Sequence, residues 1–369
     1  MSLFKEKGVT LQLIIMHADT RGPHAQPLPI YHKNTQSMEL QTKVTIPKPN
    51  FEINHKKQIF MIGSCFTTHI GELLTEDKFS CLVNPFGVLY NPASIAALLL
   101  RSISERDYSD ASPEFFSDPQ SGLTHSWMHH STFSSSHKET LIQHANSVMH
   151  ETADKLRQTD ILIVTFGTSV IYRLKDSGML VANCHKQPDR LFVRERLSAY
   201  DIADTWQTLI QILKSVNPNL HIVFTVSPIR HKRDGMHVNQ LSKAELLLGI
   251  DQIVRANDHV YYFPAYELVM DELRDYRFYA DDLVHPSSLA VRYIYERFTD
   301  TFVSPAEQQL SARCRAVHNL LSHRPTDAES PAYQALLEKT NNLIQDIIKK
   351  HPYLDFNAET SLCSTKSKK

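Results

Sequence analysis

The chain has 369 residues, 42% of them hydrophobic, with 39 Lys and Arg against 40 Asp and Glu. That length suits one large α/β domain with appendages or two modest domains, and a net charge of -1 gives no reason to expect nucleic acid or an acidic membrane surface as the main partner. The five cysteines are odd in number and lack a C-x-x-C pair, and no apolar run reaches membrane-spanning length, so the expected setting is reducing and cytoplasmic.

Residues 1–39 are polar, contain Pro23, Pro27 and Pro29, and lack sustained periodicity, which predicts a disordered leader. Its apolar stretch at 11–16 is too short for the core of a signal peptide. Met38 stands just ahead of a strand-like segment at 40–46 and is a candidate start. The main domain is expected over 40–302. Within it, the apolar run 59–62 has the length of a buried strand, stops at Gly63, and gives way to a helical pattern through Ile70, Leu73 and Leu74. A strand, small-residue turn and helix lift a nucleophile to the carboxyl edge of a parallel sheet, against the positive end of a helix dipole. Ser64 and Cys65 are the two nucleophile candidates in that turn.

A second strand is expected at 79–83, followed by a loop from Asn84 to Pro92 that contains Gly87 and Asn91, and a helix at 94–103. Two Asn-Pro steps and a Gly suit either a rigid connector or a loop that presents backbone N–H groups. Residues 105–137 are polar and aromatic and read as a substrate-side insertion. His125, His129 and His130 lie in it without a strong zinc spacing, so no metal site is assigned and solvated loop histidines are expected. A helix at 138–157 leads into the strand 161–166, which ends at Gly167-Thr168-Ser169. A further insertion, 175–198, carries Asn183-Cys184-His185-Lys186. The alternation resumes with a helix at 202–216, a strand at 221–226, the basic loop containing Arg230 and His231, a helix at 242–256 and a strand at 260–263. Buried runs alternating with helical periods predict an α/β three-layer sandwich with a central parallel sheet of about five strands, flavodoxin-like in size. Asp282 and His285 stand three apart in a turn that enters a helix at 289–298. Helices are expected over 303–352, packed on the domain, and a disordered Ser/Thr/Lys-rich tail over 353–369.

These residues permit one chemistry. His285 can take the proton of a thiol or hydroxyl, Asp282 can hold the imidazole tautomer, and a helix N-terminus favours a Cys65 thiolate. Oxyanion donors are expected from the backbone of Cys65 and Gly87, the amide of Asn84 or Asn91, and Gly167 or Ser169. His185, Arg230 and His231 are candidate substrate contacts.

The motif Ile62-Gly63-Ser64-Cys65-Phe66-Thr67 resembles the one that defines the GSCFA family, with Thr67 where the family usually has Ala. The segments Asn84 to Pro92, Gly167-Thr168-Ser169, Asn183 to Lys186 and Asp282-Leu283-Val284-His285-Pro286 also fall where that family repeats its motifs. The family is similar to the SGNH/GDSL hydrolase superfamily, which implies a flavodoxin-like (SGNH-type) fold and acyl-ester chemistry. Matching Gly63 to the superfamily's Gly-Asp-Ser-Leu motif puts Cys65 on the nucleophile, and a similar Gly-Asn-Cys arrangement occurs in a related group of polysaccharide acetyltransferases. The superfamily's Gly-x-Asn-Asp block reads Gly167-Thr168-Ser169-Val170 here, so the usual amide donor is missing and Asn84 or Asn91 would be a substitute.

Three functions follow as expectations. The first is an esterase acting on a small or carbohydrate ester without a cofactor. The second is an acyltransferase that uses a CoA thioester as co-substrate, although no Gly-rich phosphate loop is present. The third is a non-catalytic glycan-binding protein. Nothing in the sequence sets the oligomeric state.

Overall fold

Along β1 (Gln58–Gly63), Phe60 and Ile62 point to one side and Ile59 and Met61 to the other. In the computed structural model both sides are buried, so the strand is covered by helices on each face. The structure describes residues 41–366 except 324 and 328, with no side-chain description for 364–366. The expected leader and Met38 therefore lie outside the described residues.

From β1 the chain runs into α1 (Cys65–Glu76), β2 (Ser80–Val83) and α2 (Pro92–Ile103). A first insertion carries β3 (Phe115–Asp118), β4 (Leu123–Ser126) and β5 (Ser134–Ser135), and α3 (Lys138–Gln158) and β6 (Ile161–Phe166) follow. A second insertion carries β7 (Val170–Leu174), β8 (Leu180–Val181) and β9 (Phe192–Arg196). Then come α4 (Ala199–Val216), β10 (His221–Val226), α5 (Met236–Arg255), β11 (Val260–Phe263), the short α6 (Ala265–Glu267) and α7 (Ser288–Phe302). The chain ends in α8 (Pro305–Ser322), α9 (Pro331–Lys350) and α10 (Asn357–Lys366).

The central sheet is parallel, in the order β11-β10-β6-β1-β2. Counting its strands alone, that is 2-1-3-4-5, the flavodoxin-like winding. One face packs on α2, α4 and α5 through Phe60, Ile62, Val164, Trp206 and Phe224, and the other on α1 and α7 through Met61, Ile163, Val223, Phe263 and Phe298. The order reverses between β1 and β6, so the crevice at their carboxyl ends is the switch point where such folds bind ligands. No described helix is long and apolar enough to cross a membrane.

Two expectations need correction, and a third gains detail. Residues 42–49 form no strand; the segment lies against the sheet's second face through Val44 and Ile46. The insertions are two small antiparallel sheets, β3-β4-β5 and β8-β7-β9. The tail expected to be disordered instead enters α10, because Leu354, Phe356 and Cys363 bury against Cys314, Ile344 and Ile347.

A close contact between strands sits at the end of β1. A β-carbon on Gly63 would lie 2.3 Å from the Thr165 carbonyl oxygen and 2.8 Å from the Thr165 Cβ. The Gly63→Ala variant is therefore expected to lose about 2 kcal/mol or more of stability, from strain and strand separation. Urea denaturation at constant slope measures this, and an unchanged midpoint would refute the close contact.

Candidate active site

Gly63 ends β1, Ser64 is the N-cap residue of α1, and Cys65 is its first helical residue. Ser64 makes no side-chain cap; the residue is 1% exposed, and among the described residues its hydroxyl has no hydrogen-bond partner. Cys65 is half-buried and lines a cleft of about 880 Å³. Burial raises its thiol pKa, and the backbone N–H groups of Cys65 and Phe66 only partly offset this. The expected thiolate at a helix N-terminus is thus not the resting state, because desolvation outweighs the dipole.

The 280–286 turn supplies the imidazole to the same cleft. Asp282 Oδ1 accepts from the N–H groups of Val284 and His285, both at 3.0 Å, and Asp282 Oδ2 lies 2.5 Å from His285 Nδ1. These two N–H groups, and then the imidazole, hold the Asp282 carboxyl down at about 2. Asp282 therefore stays ionised at neutral pH and fixes both the backbone and the ring of His285. Among the described residues no hydrogen bond joins His285 to the Cys65 thiol.

The expected oxyanion donors separate. The Gly63 N–H donates to Asn84 Oδ1 (2.8 Å) and Asn84 Nδ2 donates to the Thr68 hydroxyl (3.0 Å), so Asn84 staples the turn rather than facing the cleft. The Gly87 N–H closes a turn on the Asn84 carbonyl (2.8 Å), and that of Gly167 donates to the Tyr90 carbonyl (2.7 Å). Ser169 is sealed, its N–H on the Ser242 hydroxyl at 2.7 Å. Of the side-chain candidates only Asn91 reaches the cleft, and its Oδ1 caps α2 at Ser94 N–H (2.8 Å), which leaves Nδ2.

His185, Arg230 and His231 all line the cleft. The His185 Nε2 lies 2.7 Å from the Ser126 carbonyl, and among the described residues its buried Nδ1 has no hydrogen-bond partner. Burial, then Lys243, pushes His231 down to about 4, so that ring is neutral at pH 7. The other insertion histidines do not converge on a metal: among the described residues no group of three or more His, Cys, Asp and Glu is placed to hold one. His129 is not solvated as expected but fully buried, stacked on Phe133 at 4.5 Å. Cys184 lines the cleft too, its thiol pushed up to about 11 by burial.

The sequence places the start of α5 too late and does not show its polar buried face. The helix begins at residue 236 rather than 242, and Asn239, Ser242 and Lys243 form a buried polar stripe at helical spacing. Asn239 Oδ1 accepts from His231 N–H (2.9 Å), and the Ser242 hydroxyl contacts that of Thr168 (2.9 Å). Lys243 Nζ donates to the carbonyls of Gly167 and Ser227, both at 2.6 Å. Three polar residues at i, i+3 and i+4 on the buried face were the available signal. Tyr90 was missed as well; it borders the cleft, and its phenol pKa is raised by burial and by nearby Cys65.

Residues 58–298 match the family described as GSCFA family, and residues 315–369 match GSCFA domain protein, C-terminal domain. No curated protein matches the chain. Among solved structures it is similar to an acetyl xylan esterase from the rumen bacterium Butyrivibrio proteoclasticus, at 12% identity and a TM-score of 0.31, over 70% of this chain. The chain spans 64% of that esterase's length.

Lys243 gives the site a measurable pH signature. Burial, then Arg230, pushes its ammonium down to about 7. The unfolded chain therefore holds the Lys243 proton up to its ordinary pKa, and the folded chain gives it up earlier. Stability rises with pH wherever the unfolded state binds more protons, so this contribution grows from about pH 7 to about pH 10. The melting temperature of the wild type should gain on that of Lys243→Met as pH rises through this window. A constant difference would refute the depressed pKa.

Proposed function

The chain belongs to the GSCFA family, and on that premise we propose that it is an acyl-ester hydrolase acting on a small or carbohydrate ester, with Cys65 as nucleophile, His285 as base and Asp282 as the orienting carboxylate. One observation carries this reading: Cys65 and the Asp282-held His285 border one cleft at the switch point of the sheet. The sealed hydroxyl of Ser64 favours the thiol over the alternative nucleophile.

In the free protein the thiol is protonated. The His285 side chain is 44% exposed on its turn, and catalytic hydrogen bonds that are open in a free enzyme tighten around substrate. As the turn closes, the Sγ proton passes to His285 Nε2 and sulfur bonds to the ester carbonyl carbon, whose π electrons move to oxygen. The Cys65 N–H and the Asn91 Nδ2 are the proposed oxyanion donors. Collapse breaks the carbon–oxygen bond, and the departing alkoxide takes the proton from His285. Water then adds to the thioester, giving its proton to His285. The second collapse expels the thiolate, which regains that proton, and releases the acid. Asp282 stays ionised throughout and stabilises the imidazolium.

Acyl transfer from a CoA thioester to a carbohydrate hydroxyl is the second reading. The cleft volume of about 880 Å³ favours it, being near the upper end of the roughly 300–1,000 Å³ usual for ligand sites. A thioester acyl-enzyme also passes its acyl group to an alcohol as readily as to water.

Incubation with a panel of acetyl esters and acyl-CoA donors, followed by intact mass and peptide mapping, should find an acyl group on Cys65. Cys65→Ala should abolish turnover, and His285→Ala should lower kcat/KM by about 10²–10⁴-fold. Thioester consumed only in the presence of a sugar acceptor would select transfer. Turnover unchanged in both variants would refute the assigned residues, and no turnover or acylation with any donor would leave the non-catalytic, glycan-binding alternative.

A further inference from the structure

The charge inside the cleft does not match that of the chain as a whole. Its lining contains Lys186, Arg230, Lys232 and Arg233 against Asp189 and Asp234. Both acids are already engaged: Arg233 donates to Asp189 Oδ1 at 2.6 Å, and Arg194 binds Asp234. Among the described residues, Lys186, Arg230 and Lys232 have no carboxylate within 4.0 Å. The Arg230 guanidinium donates to the neutral Gln240 Oε1 (3.2 Å) and meets Met270 Sδ (3.9 Å), and among the described residues its sealed Nε has no partner. Its backbone N–H holds the Val284 carbonyl (3.2 Å), so Arg230 is tied to the turn that carries His285.

Beneath this wall lies Lys243, 1% exposed, whose partners are two neutral carbonyls. A cation this deep is costly without a counter-charge. Arg230 lies close enough to Lys243 to disfavour its protonation further. Arg230 is half-buried and Lys186 and Lys232 are exposed, and uncompensated cations that line a concave surface raise a positive potential in the space above them.

We infer that the cleft takes an acyl ester bearing an anionic group, a carboxylate or a phosphate, held by Arg230 and Lys232 on the wall next to the reacting sulfur. The ester part of this statement rests on the hydrolase reading; the anion site does not. An anion there would neutralise the wall, and the Arg230 N–H bond to the Val284 carbonyl would couple its binding to the turn that carries His285.

Alkylation of Cys65 tests the anion site independently of turnover. Iodoacetate and iodoacetamide differ in charge and little else, and peptide mass spectrometry reads the rate at Cys65 apart from the other thiols. Relative to glutathione in the same buffer, Cys65 should prefer iodoacetate by about fivefold. The preference should fall in Lys232→Gln, an exposed position that leaves packing intact, and in Arg230→Gln, and should collapse in high salt. Protection by inorganic phosphate against protection by glucuronate then distinguishes the two anion sources. A ratio equal to that of glutathione, or a thiol that neither reagent reaches, overturns the inference.

Turnover of acetylated methyl glucuronide and an acetylated sugar phosphate, compared with acetylated methyl glucoside, supplies the second arm. A higher kcat/KM for the charged esters supports the inference, and equal values overturn it for the ester. If no ester is turned over while the iodoacetate preference holds, the anion site is supported and the hydrolase reading fails.

Discussion

A single missing side chain sets the geometry of the rim. At the end of β1 the Thr165 carbonyl of β6 occupies the space a β-carbon of residue 63 would need, so the two strands converge more closely than any residue but glycine permits. The Gly63 N–H, turned out of the ladder, is satisfied by Asn84 Oδ1, and its carbonyl accepts from the Leu89 N–H at 2.9 Å. With both backbone groups satisfied, the chain can leave the strand and begin α1 within one residue. That abruptness puts the Cys65 sulfur at the mouth of the crevice while Ser64, one position earlier, turns into the protein.

The same accounting explains why most of the expected oxyanion donors are spent. The loop from Asn84 to Asn91 bridges the ends of β1 and β6, and a loop packed there must satisfy its own amides. Asn84 N–H goes to the Met61 carbonyl, Gly87 N–H to Asn84, and the N–H groups of Gly167 and Thr168 go to Tyr90. A Gly or Asn in such a segment signals a conformation, which the positive φ of Asn84 (46°) and Gly87 (75°) bears out, and not a free donor. What is left over is found where helices begin, in the first N–H groups of α1 and the unused amide of Asn91.

The parallel sheet was legible because each strand is an uninterrupted apolar run, and the two faces of β1 could be read from its alternation. The Asp282–His285 spacing was legible because a carboxylate three residues ahead of an imidazole in a turn can bond both its backbone and its ring. The insertion sheets were not legible: β5 and β8 have two residues each, and β9 is exposed along Val193 to Arg196, so no buried periodicity marks them. The tail misled because its composition is polar, while Leu354, Phe356 and Cys363 anchor it and Glu359 pairs with Lys78 at 2.6 Å. The role of α5 was hidden for a different reason. Lys243 scores as a surface residue by type, and the two strand-end carbonyls that meet it, with the Tyr266 ring 5.6 Å away, make burial tolerable.

The C-terminal helices matter to the site because α1 is held at both ends. Asn84 and Gly63 fix its start, and Asp77, completely buried just past its last turn, fixes its end. Asp77 Oδ1 accepts from Arg315 Nε of α8 at 2.8 Å, Oδ2 accepts from the Tyr295 hydroxyl of α7 at 2.7 Å, and its carbonyl meets His55 Nε2 at 2.9 Å. His55 in turn reaches Glu307 in the first turn of α8 at 2.5 Å. A carboxylate with no solvent of its own tolerates burial only while these partners stay in place, so α8 cannot move without uncovering that charge. The segment beyond the main domain is therefore joined to α1, twelve residues and one buried carboxylate away from Cys65. A region that seemed an appendage in sequence belongs to the frame that decides where the sulfur sits.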